Sequence, residues 1–181
     1  MRTSFAVLAL GVVLPFGLAC SAEENHSSHA VSGQQVAAVA DLQPSSGSSV
    51  SGSISFERKS EKEVRVTAHV TGLTPGKHGM HIHEKGDCSA PDASSAGPHY
   101  NPTGHAHGEP SAEHHMGDLG NIEADANGEA HLDLSVDFVD LDGPNSVIGK
   151  AVIVHAQPDD LTSQPAGNAG ARVACGVIRK K

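Results

Sequence analysis

The sequence predicts an all-β domain, a sandwich of antiparallel strands, and three observations predict it. Apolar and polar residues alternate with period two in several short runs. Turn signals separate those runs, among them Pro75-Gly76, Asn127-Gly128 and Asp142-Gly143-Pro144. The 20 glycines and 10 prolines are spread along the chain, which suits short strands and shaped loops better than long helices. With 181 residues there is enough chain for one domain and too little for two of ordinary size. Trp is absent and aromatics are scarce, so the core must rest on Val, Ile, Leu and Ala.

The first segment is expected to stand outside that domain. Arg2 gives a weak positive start, and residues 5–19 form an apolar run of signal-peptide length, short for a membrane span. The run ends in Gly17-Leu18-Ala19-Cys20. Small residues before a Cys there resemble a bacterial lipoprotein cleavage box, so residues 1–20 read as a signal peptide with Cys20 lipidated. Ordinary cleavage near Ala22 is the alternative, and it would discard Cys20. Both routes take the chain out of the cytosol. Residues 21–35 are polar and Ser-rich and read as a flexible tether, with His26 and His29 as solvated tail residues. The domain is expected to cover residues 36–181.

Within the domain the strands follow in order. Ile54 and Phe56 alternate with Ser55 and Glu57. Val64, Val66, Ala68 and Val70 face one way, and Arg65, Thr67 and His69 the other. Leu132, Leu134, Val136 and Phe138 alternate with His131, Asp133, Ser135 and Asp137, and Val173, Cys175 and Val177 make a last strand. One apolar and one polar face is the pattern of an antiparallel sheet with a single buried side, and two such sheets make a sandwich. His69 and His131 fall on polar faces and read as surface residues. Residues 84–118 break the pattern, being rich in Gly, Pro, Ser and His. A loop of that length needs something functional to organise it.

The formal charge of −9, with no basic cluster, argues against a nucleic-acid partner. Once Cys20 is removed or lipidated, Cys88 and Cys175 remain as a pair in an oxidising compartment and are expected to form a disulfide. The 13 histidines are the strongest compositional feature. His81 and His83 lie two apart, so on a strand they share a face, roughly 7 Å apart at a ~3.3 Å rise. Two imidazoles so placed can converge on one metal while Ile82 points into the core. A pair of exposed strand histidines would read the same. His155 ends the apolar run Ala151-Val152-Ile153-Val154, which delivers its ring to the sheet edge. Several imidazoles around an open position suit redox copper. The long loop adds His99, His105, His107, His114, His115 and Asp118. Histidines with one carboxylate form a tetrahedral zinc pattern, and four protein ligands make such an ion structural. Spacing alone does not choose between His105 and His107, or between His114 and His115.

Four motifs resemble those of the copper/zinc superoxide dismutase family. They are Gly76-Lys77-His78-Gly79-Met80-His81-Ile82-His83-Glu84; Ser95-Ala96-Gly97-Pro98-His99-Tyr100-Asn101-Pro102; His115-Met116-Gly117-Asp118-Leu119-Gly120-Asn121; and the stretch from Gly167-Asn168-Ala169-Gly170-Ala171-Arg172 to Val173-Ala174-Cys175-Gly176-Val177-Ile178. They occur in family order, and the similarity spans residues 36–178. The resemblance implies an eight-stranded antiparallel Greek-key barrel, or flattened sandwich, with long metal-binding and active-site loops. It implies copper on His81, His83, His99 and His155, and zinc on His99, His107, His115 and Asp118, with His99 shared. His105 and His114 become bystanders. His78 resembles a histidine that braces the strand near the copper ligands, and Asp159 a carboxylate that hydrogen-bonds ligands of both metals. Cys88 and Cys175 match the family disulfide, and Cys88 directly after Asp87 resembles the bacterial branch.

The activity implied is dismutation of superoxide to oxygen and hydrogen peroxide. In it His99 leaves the reduced copper, takes up a proton and later donates it towards peroxide. Arg172 matches an active-site arginine that attracts and orients the anion. The net charge is negative, so attraction must come from a local positive field; residues 156–171 are fewer than in animal enzymes, so their steering lysines do not transfer. The expected setting is the bacterial periplasm, with the protein anchored to a membrane through Cys20 and protecting the cell envelope. Monomer and homodimer are both compatible with the sequence. A copper-storing module without catalysis, or an interaction domain with purely structural metals, would lack a copper ligand or the arginine. This chain keeps them all.

Overall fold

Alternating strands close into a barrel. The computed structural model describes Met1 and residues 36–181, and the expected leader, Cys20 and the tether with His26 and His29 lie outside the described residues. Nine strands occur among the described residues: β1 (Val36–Pro44), β2 (Ser51–Arg58), β3 (Val64–Thr71), β4 (Gly76–His83), β5 (Asp118–Ala124), β6 (Ala130–Val136), β7 (Ala151–His155), β8 (Arg172–Val177) and the short β9 (Arg179–Lys180). The pairing order is β2-β3-β6-β5-β4-β7-β8-β1-β9, and β1 also pairs with β2. That extra ladder closes the first eight strands on themselves. The connections β3→β4 and β6→β7 each step over two strands, as in a Greek key. The ladders are antiparallel throughout. The expected fold is therefore the observed one, and closure leaves no long free edge.

The period-two pattern places the core. Ile54 and Phe56 on β2, and Val64, Val66, Ala68 and Val70 on β3, are buried with Leu42, Met80, Ile82, Val152 and Val154. Each large side chain so buried contributes roughly 1.5–3 kcal/mol relative to exposure. Phe56 is the largest of them, so this core does rest on aliphatic residues. β6 differs in part from its sequence pattern. The strand ends at Val136, and Leu132, Leu134 and Phe138 are only partly buried against the core. The reason is local: β5 meets β6 only at Ala124 and Ala130, so the wall splays beyond that pair. On β8, Ala174 joins the main core, while Cys175 enters a second, smaller cluster with Ala93, Ala96, Ala151 and Ile153.

That smaller cluster holds the long loop on the barrel. Cys88 and Cys175 form the expected disulfide, spanning 87 residues of chain, and Ala93 and Ala96 of the loop are fully buried beside it. The loop's one helical piece among the described residues is a single 3₁₀ turn, Ser94–Ala96. With little regular structure of its own, the loop depends on such ties. Cross-linking a stretch of this length stabilises a fold by roughly 4 kcal/mol through the unfolded chain. The double variant Cys88→Ser/Cys175→Ser is expected to lose on the order of that amount in denaturant unfolding of the metal-free protein. An unchanged midpoint and slope would mean that the link holds nothing.

Candidate metal centre

The site begins on β4. His81 and His83 lie on one face of the strand, and Met80 and Ile82 lie on the other, inside the core. Both histidines are essentially buried, because residues 97–100 of the long loop are laid along the strand end. His83 and His99 form an isolated antiparallel bridge. The Tyr100 amide donates to the Ile82 carbonyl at 2.8 Å, and the Ile82 amide donates to the Gly117 carbonyl at 2.8 Å. Gly117 has to be glycine there, since a Cβ would sit 2.2 Å from the Ile82 oxygen. This approach brings Asp118, at the start of β5, opposite His81. His155 ends β7, where a bulge pairs it with Arg172 of β8.

These elements assemble two groups of ligand atoms, His81, His83, His99 and His155, and His99, His107, His115 and Asp118. The donor atoms within each group lie within 4.8 Å of one another. All the residues in them are buried. The pairs that spacing left open are thereby separated. His107 and His115 enter the second group. His105 is exposed, and its carbonyl accepts from the Asn101 side chain. His114 packs edge-on against Phe138, with ring centroids 4.4 Å apart, and its Nδ1 donates to the His115 carbonyl.

The decisive observation is what these rings leave unbonded. Among the described residues, the buried side-chain nitrogens without a hydrogen-bond partner are His81 Nδ1, His83 Nε2, His99 Nε2, His107 Nδ1, His115 Nδ1 and His155 Nε2. An unpartnered buried polar atom costs roughly 1–3 kcal/mol, so six in one place require an occupant. Meanwhile the opposite nitrogens are engaged. His81 Nε2 donates to Asp159 Oδ2 at 2.7 Å, His83 Nδ1 to the Gly97 carbonyl at 2.8 Å, and His155 Nδ1 to the Gly170 carbonyl at 3.1 Å. Such contacts fix the ring orientation and aim the free nitrogen inward. His99 is different: its Nε2 faces the first group, and its Nδ1 lies 2.9 Å from Asp118 Oδ1 in the second.

In that second group His107 Nδ1 lies 3.0 Å from Asp118 Oδ2, and His115 Nδ1 lies 3.4 Å from Asp118 Oδ1. Ligands bonded to a tetrahedral zinc at ~2.0–2.1 Å stand about 3.3 Å apart, so these separations fit the edges of such a polyhedron. The donor set fits zinc here and copper in the all-imidazole group. Burial also favours the neutral form of His81 and His155, as metal ligation demands. It lowers His81 to about 4 and His155 to about 3. Burial alone pushes the Asp118 carboxyl up, yet the His99 hydrogen bond and the nearby His107 and His115 hold it at about 2.

Asp159 ties the two groups together. Its Oδ2 accepts from His81 and its Oδ1 from His107 Nε2 at 2.9 Å. Asn121 holds that aspartate from both sides, donating to the Asp159 carbonyl and accepting from its amide. A similar clamp fixes His107: its amide donates to Gln164 Oε1, and Gln164 Nε2 donates to its carbonyl, both at 2.8 Å. Neither amide clamp was legible in the sequence, because no local pattern says that Asn121 on β5 meets Asp159 or that Gln164 meets His107. His78 is buried on β4, and its Nδ1 bonds to the His155 carbonyl at 2.8 Å.

One side of the first group opens into a cleft of about 840 Å³, lined by His83, His99, His155 and Arg172. Arg172 donates from its two terminal nitrogens to the Ala93 and Gly97 carbonyls, each at 2.7 Å. The guanidinium is thus braced by the disulfide-held loop and stands as a fixed cation at the cleft wall.

A family model described as copper/zinc superoxide dismutase matches residues 50–178. The superoxide dismutase [Cu-Zn] of Onchocerca volvulus is 49% identical over 143 residues, covering 73% of this chain and 90% of that one. The extracellular superoxide dismutase [Cu-Zn] of Brugia pahangi is 44% identical over 151 residues, covering 78% of this chain and 74% of its own.

The separation of the neighbouring histidines can be checked by metal analysis of the purified protein. His107→Ala is expected to lose close to one equivalent of zinc, and His105→Ala none. Zinc lost from the His105 variant and retained by the His107 variant would reverse the assignment.

Proposed function

The chain belongs to the copper/zinc superoxide dismutase family and is a superoxide dismutase that uses copper and zinc, and on that premise we propose how its own residues divide the work. His81, His83, His99 and His155 hold copper, and His99, His107, His115 and Asp118 hold zinc. The observation that carries this reading is the set of unpartnered nitrogens, which fall into two groups of ligand atoms that have His99 in common. When bound, copper supplies one-electron exchange with superoxide, and zinc supplies a fixed positive charge beside it.

The protein's part is positional and protonic. Two superoxide anions and two protons become one oxygen and one peroxide, so protons must be delivered where the second anion is reduced. His99 is suited to this: its Nδ1 is held on the Asp118 side, its Nε2 faces the group of His81, His83 and His155, and the residue itself lines the cleft. It takes a proton at Nε2 in one half of the cycle and gives it up towards peroxide in the other. Asp159 keeps His81 and His107 in register meanwhile. Arg172, fixed by two carbonyls, attracts the anion and turns it towards the same point. Because the net charge is −9, this local cation decides the attraction.

The setting proposed is outside the cytosol, in a bacterial periplasm, with Cys20 lipidated and the enzyme guarding the cell envelope. Support comes from the apolar run over residues 5–19 with its Gly17-Leu18-Ala19-Cys20 end, and from the disulfide, which persists in oxidising compartments. The Brugia pahangi relative is named extracellular, and both relatives are nematode proteins. The bacterial reading therefore rests on this chain's own leader and on Cys88 directly after Asp87.

Metal content and superoxide consumption measured together on the purified domain test the chemistry. Arg172→Ala is expected to keep both metals, lower kcat/KM on the order of tenfold or more, and weaken inhibition by small anions. Arg172→Lys should recover part of the rate, since it restores charge but not the two-carbonyl brace. Unchanged kinetics in the alanine variant would make the arginine merely structural. For the setting, Cys20→Ser should move the protein from the membrane to the soluble fraction, and an unchanged distribution would remove the lipid anchor.

A further inference from the structure

A third group of ligand atoms lies on the outer wall of the barrel. His69 of β3 and His131 of β6 are directly opposite each other in the ladder, and Glu129 immediately precedes β6. Neither β3 nor β6 carries any residue of the paired centre. The two imidazole rings stack with centroids 4.5 Å apart and planes 7° from parallel. One carboxylate oxygen serves both: Glu129 Oε1 lies 2.7 Å from His69 Nε2 and 3.4 Å from His131 Nε2. All three ligand atoms fall within 4.8 Å of one another.

We propose that His69, Glu129 and His131 form a solvent-open binding site for a late first-row divalent cation, separate from the copper and zinc of the paired centre. Two imidazole nitrogens and one carboxylate oxygen are a donor set for such ions, with copper(II) favoured over zinc(II) by intrinsic affinity. The Glu129–His131 separation already matches the ~3.3 Å between ligands on a shared ion. The remaining adjustments fall on side chains that are 46–68% exposed and free to make them. Water can fill the other coordination positions, so the ion would exchange readily.

The backbone is set in advance. His69 and His131 are fixed by the β3–β6 ladder. Glu129 is fixed by a turn in which its amide donates to Asp125 Oδ1 and its carbonyl accepts from the Asp125 amide, both at 2.9 Å. Gly128 closes that turn with φ +79°, where a Cβ would sit 2.3 Å from the Leu73 carbonyl oxygen. A cation therefore chelates without ordering a loop, which avoids the main cost of assembling a site. Binding does displace the His69–Glu129 hydrogen bond, and it asks His69 to carry its proton on Nδ1 in place of Nε2. Exposed pairs of this kind contribute little to stability, so the exchange costs little. The sequence shows two histidines on polar faces; only the register shows that they meet.

The test uses the full chain already loaded with copper and zinc, titrated calorimetrically with Zn2+ and, separately, Cu2+. One further equivalent of either ion per chain is expected. His69→Gln and His131→Gln should each weaken that binding at least about tenfold, since loss of even an outer partner of a metal ligand costs 10–100-fold. Both variants should keep full superoxide-consuming activity, which also reports that they fold. No further equivalent in the loaded wild type would overturn the proposal. So would a further equivalent that survives both substitutions, because other groups, such as His26 and His29, would then be holding it.

Discussion

One imidazole stands between two sets of donors, and the arrangement of the whole loop region follows from that. His99 has one nitrogen facing His81, His83 and His155, and the other facing Asp118. To hold the ring there, residues 97–100 must lie along the end of β4, and Gly117 must pass close enough to touch the Ile82 carbonyl. Ordering a long irregular segment costs about 1–2 kcal/mol per residue in backbone entropy. Turn hydrogen bonds alone do not offset that. The disulfide, the small alanine cluster under it and the Arg172 guanidinium act on one stretch of chain, residues 88–97.

Arg172 therefore has two jobs that pull in the same direction. It braces the loop that carries His99, and the brace fixes its charge at the cleft wall. Asp159 plays a comparable part from the opposite side. A single carboxylate reaches a histidine of each group, so neither ring can turn without disturbing the other. Gly167 leaves the room this needs: a Cβ there would sit 1.8 Å from Asp159 Oδ1 and 2.6 Å from His107 Nε2. Positions far apart in sequence thus act as one rigid frame. Rigidity of this sort keeps ligands in place while a proton comes and goes.

Much of this was legible in the sequence, for identifiable reasons. Strands β2 and β3 carry clean alternation because one of their faces is dry and the other wet. His81 and His83 share a face for the same geometric reason. β6 was less faithful: Leu132 and Leu134 follow the inward pattern yet are only partly buried, because the wall opens between β5 and β6. No local pattern reports such a gap. The choice of His107 over His105, and of His115 over His114, came from family resemblance and not from spacing, since both members of each pair are chemically able. What separates them is which backbone positions face Asp118, a matter of loop conformation. The clamps made by Asn121 and Gln164 and the meeting of His69 with His131 depend on contacts between distant segments. A one-dimensional reading has no access to those.

The shared ring is the claim on which the chemistry stands, and anomalous scattering tests it most directly. Diffraction data collected from the fully metallated protein on either side of the copper and zinc absorption edges would locate each ion separately. The account predicts one copper peak beside His99 Nε2 and one zinc peak beside His99 Nδ1, on opposite sides of the same ring. A single peak, or two peaks of which only one touches His99, would contradict it.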